Sequence, residues 1–132
     1  MYRYSRSSLN HLKTCRYEHQ HLFTNVLKYF DHTIIQGHRT AQQHKQYLLE
    51  GKTKVSYQRS KHSPNPSNAV DVAPYPIRWK DYRGFYVFAG VVMAVAEDLN
   101  YSDHLRWGGD WDRDGRYDDQ TFYDLVHWEW ID

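Results

Sequence analysis

In residues 125–131, Leu-Val-His-Trp-Glu-Trp-Ile, charged or polar side chains alternate with large aromatic ones from His127 to Trp130. A β-strand turns successive side chains to opposite faces of its sheet, so this alternation predicts a strand. His127 and Glu129 belong to one face of that strand, and Trp128 and Trp130 belong to the other. The C-terminal stretch therefore predicts a sheet that carries an imidazole beside a carboxylate on one face and large aromatic rings on the other.

Helices and further short strands are predicted on the N-terminal side of this stretch. Runs rich in β-branched and apolar residues predict three more strands, at residues 31–36, 69–73 and 104–107. Apolar residues at intervals of three and four predict helices at residues 18–30 and 85–99, and a third helix is expected between Thr40 and Gly51. This order favours an α+β fold, a small antiparallel sheet packed with helices, over a doubly wound parallel sheet.

Size and composition exclude several classes of protein. A chain of 132 residues has the usual size of one domain, so we expect residues 1–132 to form a single domain and a monomer. The 17 basic and 16 acidic side chains are scattered and nearly balanced, which argues against a nucleic-acid binder. The N-terminus lacks the apolar core of a signal peptide, and the apolar run at 87–96 is too short to span a bilayer. We therefore expect a protein made in the cytosol, with no membrane anchor.

Three side chains are candidate metal ligands: His62 in a loop, Asp71 on the next predicted strand and His127 on the last one. Two imidazoles and one carboxylate leave a fourth tetrahedral position of zinc open, which is the arrangement that a hydrolytic site keeps for water. The chain has nine histidines, so such a combination also arises by chance. Exposed or hydrogen-bonded histidines are the alternative interpretation.

Asp124 precedes His127 by three positions and is a candidate general base for such a site. A strict strand would turn Asp124 to the face opposite His127. We therefore expect Asp124 in the loop, or at a bend that enters the strand. Glu129 is a candidate hydrogen-bond partner of a ligand histidine, and Ser60 is a candidate for orienting the first ligand.

A second candidate metal site is an acidic loop. Asp110, Asp112 and Asp114 alternate before Gly115, as the first carboxylates of calcium loops do. The twelfth position of such a loop would be Thr121 rather than glutamate. A solvated acidic turn is the alternative to calcium here.

Four short motifs, spread over most of the chain, resemble in their order the VanY-like zinc peptidases. They resemble in particular the L-alanyl-D-glutamate peptidases that serve as phage endolysins. The motifs are Gln-Gly-His-Arg-Thr at 36–40, Ser-Lys-His at 60–62 with Ala-Val-Asp at 69–71, Trp-Gly-Gly-Asp-Trp at 107–111 and Asp-Leu-Val-His at 124–127. The loop between Ser-Lys-His and Ala-Val-Asp is lengthened by Pro64-Asn65-Pro66. Ser67 stands where the commoner pattern of these peptidases has glycine.

The resemblance implies a fold, a reaction and a set of roles. The fold would be that of the hedgehog domain and the D-Ala-D-Ala peptidases. His62, Asp71 and His127 would hold zinc, Asp124 would be the general base, and Arg39 would bind substrate and stabilise the charged intermediate. The protein would be a zinc endopeptidase that cuts bacterial peptidoglycan between L-alanine and D-glutamate. It would reach its substrate from the host cytoplasm at phage lysis.

Two other functions remain open at the level of sequence. A D,D-carboxypeptidase that trims terminal D-alanine would use the same residues. A zinc-stabilised binding module without activity would keep the ligands but would not need Asp124.

Overall fold

The computed structural model describes all 132 residues. Its helices are α1 (Arg6–Leu12), α2 (Tyr17–Val26), α3 (Ala41–Leu49) and α4 (Tyr82–Asp98), and its strands are β1 (His32–Gln36), β2 (Ala69–Pro74), β3 (Leu105–Gly108) and β4 (Asp124–Trp130). Single 3-10 turns lie at Tyr57–Arg59 and Ser102–His104. The predicted α+β class is confirmed.

The four strands form one antiparallel sheet in the order β1-β2-β4-β3. The C-terminal strand β4 is therefore an inner strand, paired with β2 on one side and β3 on the other. In this register Gln36 lies opposite Asp71, and Asp71 lies opposite His127. Three neighbouring strands thus bring three polar residues into one row across the sheet.

The aromatic face of β4 forms the centre of the core. Trp128 is fully buried, stacks on Trp107 at 5.6 Å between ring centroids, and meets Phe23 of α2 edge to face. Helix α4 packs against α2 and against strands β2 and β4. Its buried side chains recur with the helical period: Phe85, Phe88, Ala89, Val92, Val95 and Ala96. The same alternation that buries Trp128 turns His127 to the other face of the sheet.

Helix boundaries differ from the sequence prediction at three places. Helix α1 was not predicted, because it is short and buries only Ser8 and Leu12, which leaves no periodic apolar stripe. Helix α2 ends at Val26 instead of Phe30, although the Phe30 ring still packs on the core. Helix α4 begins at Tyr82 instead of residue 85, because the preceding aspartate caps its first turn.

Strand boundaries differ from the sequence prediction by one residue at most at each end. Strand β2 runs through Pro74, which pairs with His32 at the end of the ladder. Strand β4 begins at Asp124, the residue that the sequence placed either in the loop or at a bend entering the strand. None of the helices combines the length and the apolar composition that a membrane crossing requires.

Replacing Phe88 by alanine should destabilise the protein by about 3–5 kcal/mol, because the change leaves a cavity in the core. Phe88 is 1% exposed, whereas its neighbour Val87 is 60% exposed on the same helix. The matched control Val87→Ala should therefore change the free energy of unfolding by no more than about 0.5 kcal/mol. Urea unfolding followed by circular dichroism measures both values. Equal losses in the two variants would contradict the packing described for α4.

Candidate metal centre

The structure brings His62, Asp71 and His127 together on one side of the sheet. One ligand atom from each lies within 4.8 Å of the others. The Oδ1 atom of Asp71 is 3.3 Å from His62 Nε2 and 3.3 Å from His127 Nδ1. Asp71 and His127 meet because they are paired directly across β2 and β4, and His62 reaches them from the loop before β2.

Hydrogen bonds on the outer side of each ring determine where its proton sits. His62 Nδ1 lies 2.7 Å from the carbonyl oxygen of Gly37, which can only accept, so Nδ1 carries the proton. His127 Nε2 lies 2.8 Å from the Glu129 carboxylate and is protonated for the same reason. When each ring is neutral, the lone pairs of His62 Nε2 and His127 Nδ1 therefore both point toward Asp71.

This arrangement fits a divalent metal ion. His62 Nε2 and Asp71 Oδ1 are buried and have no hydrogen-bond partner in the protein. When both imidazoles are neutral, these two atoms and His127 Nδ1 are three acceptors that face one another without a donor, and burial makes each unpaired acceptor costly. A cation held by the three atoms would satisfy them all. Two imidazole nitrogens and one carboxylate oxygen also form a donor set typical of metallohydrolases.

The carboxylates around the site remain ionised. Burial raises the pKa of Asp71, but the two neighbouring imidazoles lower it by more, so its pKa lies below the usual range. Burial also raises the pKa of Glu129, but its bonds to His127 and Arg106 lower it to about 2. Arg106 Nη2 donates to Glu129 Oε2 over 2.7 Å. The site is therefore built around negative charge, with Arg106 neutralising the outer carboxylate.

A proton competes with a metal ion at His127. Burial lowers the pKa of this imidazole, but the carboxylates of Asp71 and Glu129 raise it more strongly, to about 10. Only the neutral imidazole offers a lone pair at Nδ1. Metal binding at this position therefore releases a proton.

Asp124 lies at a break in the pairing of β3 with β4. Trp107 pairs with Trp128, but the next residue, Gly108, pairs with Asp124 rather than with His127. This irregularity interrupts the regular pairing at the start of β4, where the sequence predicted that Asp124 would lie in a loop or at a bend. A Cβ atom at Gly108 would lie 2.0 Å from the Asp124 carbonyl oxygen, so the close approach requires glycine.

The environment of Asp124 suits a proton acceptor. Burial, followed by the negative charge of Asp71, raises the pKa of Asp124 above its usual value. The two site histidines and Arg39 act in the opposite direction without reversing the shift. Asp124 forms no ion pair of its own. Its carboxylate therefore remains available and more basic than that of an exposed aspartate.

Two further residues hold the loop that carries the first ligand. The hydroxyl oxygen of Ser60 accepts the backbone N–H of His62 over 3.2 Å. The backbone N–H of Arg39 donates to the His62 carbonyl over 2.8 Å. Arg39 itself is 6% exposed and is the third residue after the end of β1. The ligand loop and the arginine segment are thus joined through the backbone.

Sequence reasoning assigned no individual role to Trp111. Its ring centroid is 5.5 Å from that of His127, and it stacks on the exposed Phe122 ring at 6.1 Å. By contrast, Trp107, Trp128 and Trp130 are buried. The sequence could not predict the contact of Trp111 with His127, because no periodicity relates the loop that carries Trp111 to strand β4.

The acidic loop also assembles as a cluster. One carboxylate oxygen from each of Asp110, Asp112 and Asp114 lies within 4.8 Å of the others. Asp110 accepts backbone N–H groups of Asp114 and Gly115 over 3.3 and 3.0 Å, and Gly115 has the positive φ of +77° that the turn needs. Asp112 and Asp114 are exposed. This geometry is compatible both with a cation site and with a solvated acidic turn.

Comparisons with known proteins identify a peptidase family. The family model described as phage L-alanyl-D-glutamate peptidase matches residues 1–131. The chain is 30% identical over 138 aligned residues to the L-alanyl-D-glutamate peptidase of Escherichia phage T5, and the alignment covers 98% of each protein. The fold is similar to the crystal structure of the Serratia marcescens L-Ala D-Glu endopeptidase ChiX, with a TM-score of 0.77 over 99% of this chain and 90% of that chain. At 19% identity this last likeness concerns the fold alone.

Replacing Glu129 by glutamine should weaken metal binding by about 10- to 100-fold, because the carboxylate holds the Nε2 proton and orients His127. Competition with a coloured chelator at constant pH measures the affinity. Glu50→Gln, at an exposed position after α3, is the matched control and should bind metal as the wild type does. Equal affinities of the two variants would refute the role given to Glu129.

Proposed function

The chain belongs to the phage L-alanyl-D-glutamate peptidase family, and on that premise we propose that it is a zinc-dependent endopeptidase of bacterial peptidoglycan. Its reaction is hydrolysis of the bond between L-alanine and D-glutamate in the stem peptide. As a phage endolysin it would act on the host cell wall at lysis, after release from the host cytoplasm.

The observation that carries the proposal is the convergence of lone pairs from His62, Asp71 and His127 on one buried point. These are three protein donors, whereas a metal that only stabilises a fold usually has four. Nitrogen and carboxylate donors in this ratio suit zinc better than a hard cation such as magnesium. The fourth position is left for water or substrate.

Each residue of the site has a distinct role in the proposed reaction. Zinc held by the three donors would supply Lewis acidity toward the scissile carbonyl and the attacking water. Asp124 accepts the proton of that water and passes it to the leaving amine, for which its raised pKa is suited. Arg39 is permanently cationic and contacts negative charge on the substrate or on the developing oxyanion.

Two other functions make different demands on the same residues. A D,D-carboxypeptidase would use the same metal and base but would release only terminal D-alanine. A binding module stabilised by zinc has no use for a half-buried carboxylate without an ion-pair partner. The position of Asp124 beside Gly108 therefore favours an enzyme over a binding module.

Calcium at Asp110, Asp112 and Asp114 stays a separate prediction. These side chains offer only oxygen, which hard cations prefer, and they differ in this from the imidazole-containing site. Trp111 lies within the same loop and against His127. A cation that ordered the loop would therefore also hold this ring beside the zinc ligand.

Isolated Gram-negative sacculi provide the test of the reaction. We expect the zinc-loaded protein to clear them, a chelator to stop clearing, and added zinc to restore it. Mass spectrometry should find released stem peptides that begin with D-glutamate, because the cut leaves L-alanine on the glycan. Release of D-alanine alone would establish the carboxypeptidase instead. Loaded protein that binds sacculi but releases nothing, with or without calcium, would establish the binding module.

Replacing Asp124 by asparagine should lower kcat by about 100- to 10,000-fold, because the amide cannot accept the proton. Metal content should be unchanged, since Asp124 is not among the three converging donors. Asp118→Asn, the same change at an exposed position, is the control and should keep full activity. Full activity of Asp124→Asn would exclude Asp124 as the base.

A further inference from the structure

Arg39 is held by an unusual set of partners. Its Nε and Nη2 atoms both donate to Oε1 of Gln36, over 3.0 and 2.8 Å. Its Nη1 atom lies 3.3 Å from Nδ1 of His44. The Tyr47 ring lies against the guanidinium, with 4.4 Å between Cζ and the ring centroid. Three side chains therefore determine the orientation of this buried cation.

The protonation of His44 follows from its other contact. Its Nε2 atom lies 2.7 Å from the carbonyl oxygen of Val55 and must carry the proton. Nδ1 is then the acceptor for Arg39. His44 is fully buried, so this contact is shielded from water.

None of these partners carries a negative charge. Gln36 is an amide, His44 is a neutral imidazole in this contact, and Tyr47 offers the face of a ring. No carboxylate forms an ion pair with Arg39, whereas Arg16, Arg106 and Arg116 each have one. Arg39 is therefore oriented by three side chains, and its charge is not neutralised by a direct ion pair.

The sheet places Gln36 beside the metal ligand Asp71, and α3 carries His44 to Arg39. Gln36 lies directly opposite Asp71 in the pairing of β1 with β2. Helix α3 begins with a capping box between Thr40 and Gln43, which fixes the first turn of the helix that carries His44. A change in either element would move the guanidinium relative to the metal ligands.

We propose that Gln36 and His44 are positioning residues, which hold Arg39 through uncharged acceptors so that its charge selects a substrate with a free carboxylate beside the scissile bond. This proposal rests on the proposed function. A glutamate residue has two carboxyl groups and uses only one to join the next residue, so D-glutamate presents the other as an anion. A peptide in which that group is an amide lacks the anion that Arg39 would bind.

The decisive variant is Gln36→Glu, because it keeps the shape and the acceptor oxygen but neutralises Arg39. Gln42→Glu makes the same change at an exposed position of α3 and is the matched control. Each zinc-loaded protein is tested for metal content, unfolding temperature, and kcat and KM. The substrates are two stem peptides that differ only in a carboxylate or an amide on D-glutamate.

We expect the wild type and Gln42→Glu to prefer the carboxylate peptide. Gln36→Glu should stay folded and loaded with zinc, yet lose about tenfold or more in kcat/KM on that peptide, with much less loss on the amide peptide. Gln36→Leu removes the acceptor without adding charge, so it should lose activity on both peptides and keep the preference. A Gln36→Glu protein with unchanged activity and preference would overturn the proposal, as would a loss equal on both peptides.

Binding of a γ-D-glutamyl dipeptide separates this proposal from the proposed function. The dipeptide has the free carboxylate but no L-Ala–D-Glu bond, so calorimetry can follow its binding without cleavage. Failure of the wild type to cut sacculi would refute the peptidoglycan reaction. Weaker binding of the dipeptide to Gln36→Glu than to the wild type would still support the role of Gln36, and equal or absent binding would refute it.

Discussion

The pairing of β2 with β4 is the constraint on which the site depends. It sets Asp71 directly opposite His127, at the separation where two side chains on the same face of a sheet can share one ion. The pairing of β1 with β2 extends the row to Gln36. The ligands and the support of Arg39 are therefore positioned by backbone hydrogen bonds of the sheet, and a slip of one residue in register would turn Asp71 away from His127.

The rigidity of this sheet matters because the metal-ligand atoms repel one another when no cation lies between them. Asp71 and two lone pairs of nitrogen face one another, and the bonds to Gly37 and Glu129 keep both imidazole protons on the outside. With both imidazoles neutral, these contacts are unfavourable unless a metal ion is bound, and in its absence a proton on His127 takes the place of the ion beside Asp71. The stacked rings of Trp107 and Trp128 on the opposite face provide the packing that holds it.

The residues that orient a metal ligand and the residues with a role in the proposed reaction differ in their ion pairing. Glu129 is paired with Arg106 and serves to orient an imidazole. Asp124 and Arg39, which have the chemical roles in the proposed reaction, are buried or nearly so and have no ion-pair partner. A group that must accept a proton or bind an anion loses that capacity when it is neutralised within the protein.

Local pattern in the sequence was sufficient for the strands and most of the helices, and motif order was sufficient to single out His62, Asp71 and His127. A period of two or of about 3.6 residues determines which side chains share a face, and it acts within one element. It could not reveal α1, which has no apolar stripe, or the register break that carries Asp124 beside Gly108. The tertiary structure alone decided the imidazole tautomers and the uncharged hydrogen-bond partners of Arg39. Those features depend on contacts between segments far apart in the chain, and sequence periodicity describes only the faces of a single element.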